Sequence, residues 1–152
     1  MGKINYGRVI GGGLLAGLVI NICEFLVNGL WLKQDWEDAM KALGKSTAYG
    51  PSQIVLFNVW GFLIGIFAVW FYAAIRPRYG AGPKTASCAA ISVWILAYLM
   101  ASIIPASMEM FPMRLMWIGV GVGLVEMLIG TILGAWVYKE ESAPAAMSAT
   151  AK

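Results

Sequence analysis

The sequence contains no histidine among its 152 residues, and this absence limits its chemistry. Histidine is the commonest metal ligand and the usual general base near neutral pH. It also belongs to the usual serine and cysteine nucleophile triads and supplies most axial ligands of haem. The sequence therefore predicts a protein that is not an enzyme and that carries no cofactor.

Charged residues are also scarce, at 12% of the chain against about 25% in a soluble domain. Hydrophobic residues make up 60%, and the mean hydropathy is +0.73. The apolar residues form four runs, at 9–32, 54–75, 85–104 and 115–137. Helices of that length cross a hydrocarbon layer of roughly 30 Å. We therefore predict an all-α polytopic membrane protein, with residues 1–141 forming one four-transmembrane-helix bundle in the lipid bilayer and no nucleic-acid partner.

Only two cysteines are present, Cys23 and Cys88. In the predicted topology Cys23 lies near the middle of the first run, and Cys88 lies about one turn into the third. The two are then separated by roughly 15 Å along the membrane normal, more than a disulfide spans. We expect both thiols to be free.

The first and third connections between the runs carry turn and cap signals. The first loop contains a candidate amphipathic helix, with Asp35 as its N-cap and Gly44 just past its end. In the last connection, the third helix is expected to end near Pro105, and Pro112 to lie in the first turn of the fourth.

Basic residues near the helix ends predict an orientation, because cytoplasmic loops of membrane proteins are enriched in Lys and Arg. With the N-terminus inside, the cytoplasmic set is Lys3, Arg8, Arg76, Arg78, Lys84, Lys139 and Lys152. The outer set is smaller: Lys33, Lys41, Lys45 and Arg114. We therefore predict a bacterial inner-membrane protein with both termini cytoplasmic. Residues 142–152, rich in Ala and Ser, are predicted to be a disordered cytoplasmic tail.

Small and polar residues recur at helical spacing in all four runs. The sets are Gly13, Gly17, Asn21, Glu24 and Asn28; Asn58, Gly61, Gly65, Ala68 and Tyr72; Ala86, Ala90, Ala97 and Ala101; and Gly119, Gly123, Glu126, Gly130 and Gly134. Spacings of three and four residues place each set on one helix face. Because small residues let membrane helices approach closely, we predict that these are the inner faces of the bundle.

Two carboxyl groups, those of Glu24 and Glu126, lie on these faces near mid-membrane. An ionised carboxylate there costs about 2.5–3.5 kcal/mol, and two close together repel each other. At least one is therefore expected to be protonated at neutral pH. Asn21 is expected at the same depth, and Asn28 and Asn58 further outward. We predict a site for a proton or small ligand at these five residues, in a protein that serves transport.

The same residues also fit other roles. Protonated Glu and Asn side chains can simply join helices, at roughly 0.6 kcal/mol per bond. The chain would then be a non-catalytic structural or accessory subunit of a membrane complex. The close-packed glycine faces also suit a homodimer or a partner membrane subunit.

Methionines crowd the connection between the third and fourth runs: Met108, Met110, Met113 and Met116. Thioethers are soft ligands that suit Cu(I). Methionine is also an adaptable packing residue, and neither Cys nor His accompanies the cluster. The pattern favours packing, and a Cu(I) site is the less favoured alternative.

Three segments together resemble a known group of proteins: VINICEFLVNG at 19–29, AIRPRYGAGPKT at 74–85, and the stretch from RLM to GAWVY at 114–138. They resemble small uncharacterised bacterial integral-membrane proteins with four predicted helices. The resemblance covers most of the chain and implies a bacterial membrane location, but it implies no function.

A second likeness is to the small multidrug resistance transporters, which are four-helix dimers with a membrane glutamate in the first helix. The resemblance would make Glu24 the residue that binds proton and substrate. The sequence departs from that pattern in its longer first loop and in its second glutamate, Glu126.

Overall fold

The structure, a computed structural model, describes residues 4–140. Within that range it is helical, without strands, and four helices are long and apolar enough to cross a membrane. These are α1 (Tyr6–Trp31), α3 (Pro51–Tyr79), α4 (Pro83–Ser107) and α5 (Met113–Val137), and the shorter α2 (Lys33–Ala42) follows α1. The predicted all-α class and the four membrane-length helices are confirmed. The tail predicted at 142–152 lies outside the described residues.

The helices extend beyond the apolar runs. α1 starts directly after Asn5, whose side chain caps it by accepting a 3.0 Å hydrogen bond from the backbone N–H of Arg8. The third long helix, α4, ends at Ser107, near Pro105 as predicted. A proline removes one N–H from the helical ladder, and so close to the helix end the loss is small. Pro112 is the N-cap of α5 and not part of its first turn.

α2 is confirmed as a helix in the first loop, but its start differs from the prediction. It begins directly after Leu32, which places Asp35 in the first turn and not at the N-cap. The Asp35 carboxylate pairs instead with the start of α5, where Arg114 Nη1 lies 3.2 and 3.3 Å from its two oxygens. The acid therefore fixes α2 to another helix and does not cap its own.

The end of α2 follows the prediction for Gly44. This glycine has a φ of +66°, in the left-handed region. Its N–H donates to the carbonyl of Lys41, and the N–H of Lys45 donates to that of Met40. This is the bond pattern of a glycine-terminated helix, in which the last carbonyls are satisfied as the chain turns away.

The bundle is held by close backbone approach along two glycine seams of α1. In the α1–α3 seam, a Cβ placed on Gly65 would overlap the backbone of Gly13 and Gly17. In the α1–α5 seam, a Cβ on Gly12 would overlap the backbone of Gly134. α4 completes the bundle by packing on α3 and α5. Van der Waals contact between backbones is what such seams contribute in a membrane.

The two halves of the bundle differ in packing. The terminal half, nearer residues 4–5 and 138–140, contains both glycine seams and most buried side chains. In the α2 half, three segments contain no buried residue: 25–31 of α1, 51–60 of α3 and 95–107 of α4. The helices are therefore closely packed at one end and spread apart at the other.

The helix faces that were predicted to line the inside of the bundle are buried in one half and not in the other. Their members in the terminal half are buried, for example Gly17, Gly65 and Gly130. In the α2 half the prediction fails at Asn58 and Ala101, which are exposed, and Gly119 has no neighbour near its missing Cβ. Spacing alone identifies a helix face, but it does not show how far along the helix a partner continues to pack.

Candidate functional site

Glu126 lies in the middle of α5 and is completely buried, with 0% of its surface exposed. Its Oε1 accepts a 2.5 Å hydrogen bond from the hydroxyl of Tyr98 on α4. Its other oxygen, Oε2, is buried and has no hydrogen-bond partner among the described residues. A buried carboxyl oxygen without a donor is costly, so this atom identifies the group that a ligand or a proton would satisfy.

Glu24 on α1 lies near Glu126, near enough for the two carboxyl groups to interact. It is only partly buried. Its Oε2 accepts a 2.5 Å bond from the amide nitrogen of Asn28, and Asn28 Oδ1 accepts a 2.8 Å bond from the indole N–H of Trp36 on α2. We call Glu24, Glu126, Tyr98, Asn28 and Trp36 the carboxyl cluster.

The surroundings of the carboxyl cluster provide no positive charge. The ion pairs found among residues 4–140 lie in α2, at the ends of the helices or in the adjoining segments. The other titratable groups close to the two carboxyls are the Tyr98 hydroxyl and the Cys23 thiol. Two ionised carboxylates side by side in such a place would repel each other. One shared proton removes the repulsion and supplies the donor that Glu126 Oε2 needs.

Two π-helical segments lie at the cluster. One, Phe25–Trp31, begins directly after Glu24, and the other, Ile95–Met100, contains Tyr98. A π turn closes i→i+5 bonds, so it brings Tyr98 onto the same side of α4 as Val93, one residue later than an α turn would. Such segments are rare and frequent at functional sites.

Gly123 makes room for Tyr98. It lies on α5 just under one turn before Glu126, and a Cβ placed there would overlap the Tyr98 ring. The missing side chain thus lets the ring pack against α5 with its hydroxyl directed at the carboxyl group. Gly123 was predicted to serve helix packing in general, and its specific partner is this ring.

The predicted amides divide into two groups. Asn28 belongs to the carboxyl cluster, whereas Asn21 and Asn58 lie at the α1–α3 contact. The Asn21 side chain donates a 3.1 Å bond to the Asn58 carbonyl and packs over Gly61. The exposed Asn58 side chain bonds back to the carbonyl of Ile54 at 2.8 Å. The structure therefore brings Glu24, Glu126 and Asn28 together, and does not join the other two amides to them.

Sequence reasoning missed Tyr98 and Trp36 as members of the cluster. A signal for Tyr98 was present, because a phenol within an apolar run needs a hydrogen-bond partner. Its helix face was not predictable, since it depends on the π segment. Trp36 reaches the cluster only because α2 docks on α5, where its ring meets Phe111 edge-on at 5.4 Å.

The methionines of the alternative Cu(I) site border the α4–α5 connection. Met108, Met110 and Met113 are exposed, and Met116 is partly buried. Within residues 4–140 no group of three or more His, Cys, Asp or Glu side chains is placed to hold a metal ion. Cys23 and Cys88 are free, as predicted.

Comparisons with protein-family models, curated proteins and solved structures give no significant match to this chain. The carboxyl cluster is therefore interpreted from its own geometry.

Proposed function

We propose that the chain is a bacterial inner-membrane protein, not an enzyme, whose Glu24–Glu126 pair binds a proton or small ligand reversibly and serves transport. The observation that carries the proposal is the buried Glu126 Oε2, which has no hydrogen-bond partner among the described residues. Ionisable groups at membrane depth are costly, and most of those found there serve function.

The orientation belongs to the same proposal. Of the described basic residues, five lie at the terminal half (Arg8, Arg76, Arg78, Lys84 and Lys139) and four at the α2 half (Lys33, Lys41, Lys45 and Arg114). With this bias the termini would be cytoplasmic and α2 outside. The partly exposed carboxyl, Glu24, then belongs to the outer half of the bundle.

The experiment is an infrared titration of the protein in lipid nanodiscs. The carbonyl band of a protonated carboxylic acid should be present at neutral pH and disappear as the pair loses its shared proton at higher pH. Glu24→Gln and Glu126→Gln should each change the pH at which the band disappears, because the remaining carboxyl group titrates without its partner. Glu109→Gln, an exposed acid in the α4–α5 connection, is the matched control and should leave the band unchanged. A band that is absent at neutral pH, or a pH dependence that is the same in both variants as in the wild type, would refute the proposal.

Transport is tested in liposomes that contain an entrapped pH dye. The wild-type protein should dissipate an imposed pH gradient, and both Gln variants should fail to do so while keeping the helical circular-dichroism spectrum. Retained flux in the Gln variants would show that the pair does not carry the proton.

The competing candidate is a structural or accessory subunit, and one observation favours it. The contacts of Glu126 join three helices, because Tyr98 is on α4 and Glu24 on α1. If this were their only role, Glu126→Gln would keep the bonds through its amide and change stability alone. The exposed segment 51–60 of α3 would then be available to a second copy or a partner membrane subunit.

A further inference from the structure

We infer that, in the conformation of this structure, the path from the solution to the carboxyl pair lies at the α2 end, and that α2, docked as it is, closes that path. This inference rests on the proposed proton-binding function. It adds to that function the side of the membrane from which the proton reaches the pair and the helix that controls its access.

The two glycine seams of α1, in the terminal half, offer no path to the pair. Backbones touch along both glycine seams between the pair and that end, at Gly13 and Gly17 against Gly65 and at Gly12 against Gly134. A water molecule needs polar partners and a space of its own size, and seams without room for a single Cβ give it neither.

The helices of the α2 half lack such close packing. In segments 25–31, 51–60 and 95–107 the helices bury no residue against one another. Glu24 is the more exposed of the two carboxyls, and its bond to Asn28 continues the cluster toward this end. The side from which the pair can be reached is therefore the α2 side.

The polar chain on that side stops at Trp36. Its indole N–H donates to Asn28 Oδ1 at 2.8 Å, and an indole has one donor and no acceptor. A proton cannot pass through it as it can through water or a hydroxyl. While Trp36 occupies this place, water cannot take it, and the chain from the pair ends inside the protein.

α2 is held on the bundle by a small buried cluster, in which Leu32 and Ala39 pack against Leu115, and by one ion pair. The Asp35–Arg114 pair is solvent-accessible, with side chains 42% and 64% exposed, so it contributes only weakly. A groove of about 770 Å³ lies between α2 and the α4–α5 connection. A shift of α2 toward this groove would carry Trp36 with it, because Trp36 packs against the same cluster.

Several titratable groups surround this path. Tyr98 of α4 and Cys23 of α1 face the pair, and α5 contributes Arg114, which is paired with Asp35 of α2. The neighbouring part of α3, residues 51–60, contributes the amides of Gln53 and Asn58 and no charged group.

The first test measures rates in nanodiscs by the infrared band after a rapid pH change. Trp36→Ala should accelerate loss of the proton by about tenfold, the factor corresponding to one hydrogen bond of ordinary strength, and leave the equilibrium pH of the transition unchanged. Arg114→Gln should accelerate it less, because only the docking of α2 is weakened. Unchanged rates in both variants would refute the control of access by α2. A missing transition in the wild type would refute the proposed function instead.

The second test determines from which side of the membrane the site can be reached. A membrane-impermeant thiol reagent is applied to oriented vesicles that contain the protein with Cys23→Ser and Cys88→Ser. Lys45→Cys, in the loop after α2, identifies the α2 face. Asn28→Cys should be labelled from that face only, and faster when Trp36→Ala is added. Thr131→Cys, buried in the terminal half, should remain unlabelled from either face. Labelling of Asn28→Cys from the opposite face, or of Thr131→Cys, would overturn the inference.

Discussion

The two halves of the bundle are packed differently. Glycines of the terminal half, such as Gly12 and Gly65, lie against the backbone of another helix. In the α2 half, Gly119 and Gly121 have no neighbour near the missing Cβ, and Gly29 meets only Phe25 of its own helix. The comparison teaches that a glycine permits close helix packing but does not bring it about where no facing helix approaches.

The carboxyl cluster lies at the boundary between the halves, and this position combines two requirements. Glu126 on the closely packed side is fully buried and fixed by Tyr98, whereas Glu24 on the open side keeps partial exposure. A site that binds and releases a proton needs one side chain held in a fixed position and another that is accessible to the solution. The difference in packing supplies both.

The largest expected effect is in the terminal half, for Gly65→Ala. Its Cβ would overlap the backbone of Gly17, which cannot swing aside as a side chain can, so α1 and α3 must separate. We expect a loss of about 3 kcal/mol of unfolding free energy, near the upper end for overpacking. Denaturant titration of the helical circular-dichroism signal in detergent micelles measures it.

The control is the same substitution in the α2 half, Gly119→Ala, where nothing lies within 4 Å. Alanine favours a helix over glycine by about 1 kcal/mol, so this variant should be as stable as the wild type or more stable. Equal stability of the two variants would remove the distinction between the halves.

An intermediate effect is expected at the boundary, for Gly123→Ala. Here the overlap is with the ring of Tyr98, a side chain that can turn away but then leaves Glu126 without its donor. We expect a loss of about 2 kcal/mol in the same titration. A second change, Tyr98→Leu, should restore part of this loss, and a double variant less stable than Gly123→Ala alone would contradict the proposed fit.

The smallest effect is expected for Tyr98→Phe, which keeps the ring and removes only the hydroxyl donor. We expect a loss of about 1 kcal/mol, the usual net value of one buried hydrogen bond. A double-mutant cycle with Glu126→Gln measures the coupling between the two residues. Tyr79→Phe, with a ring 65% exposed, is the matched control and should be neutral. Absence of coupling in the cycle would mean that the phenol does not act on this carboxyl.

Much of the fold was predictable because helices able to cross a membrane are recognisable in a sequence as long apolar runs. Predictions from periodicity held where helices remain regular, as at Gly17 and Gly65. They failed beyond the π segment of α4, where Ala101 is exposed. Local sequence does not specify a π turn, so the position of Tyr98 could not be derived from spacing.

The pairing of Glu24 with Glu126 was predictable from the antiparallel order of the helices, since both lie near the middle of their runs. The role of Trp36 was not, because it depends on where α2 docks. That docking is fixed by a contact between residues far apart in the chain, Asp35 and Arg114. The amphipathic pattern of α2 predicts that one face is covered, but it does not identify the covering surface.

The α1–α5 seam joins the first long helix of the chain to the last. During synthesis, Gly12 and Ala16 therefore have no partner until Gly130 and Gly134 have left the ribosome. Until then Glu24 also has no Glu126 beside it. A chain interrupted before α5 would keep both an open glycine face and an acid without its neighbour.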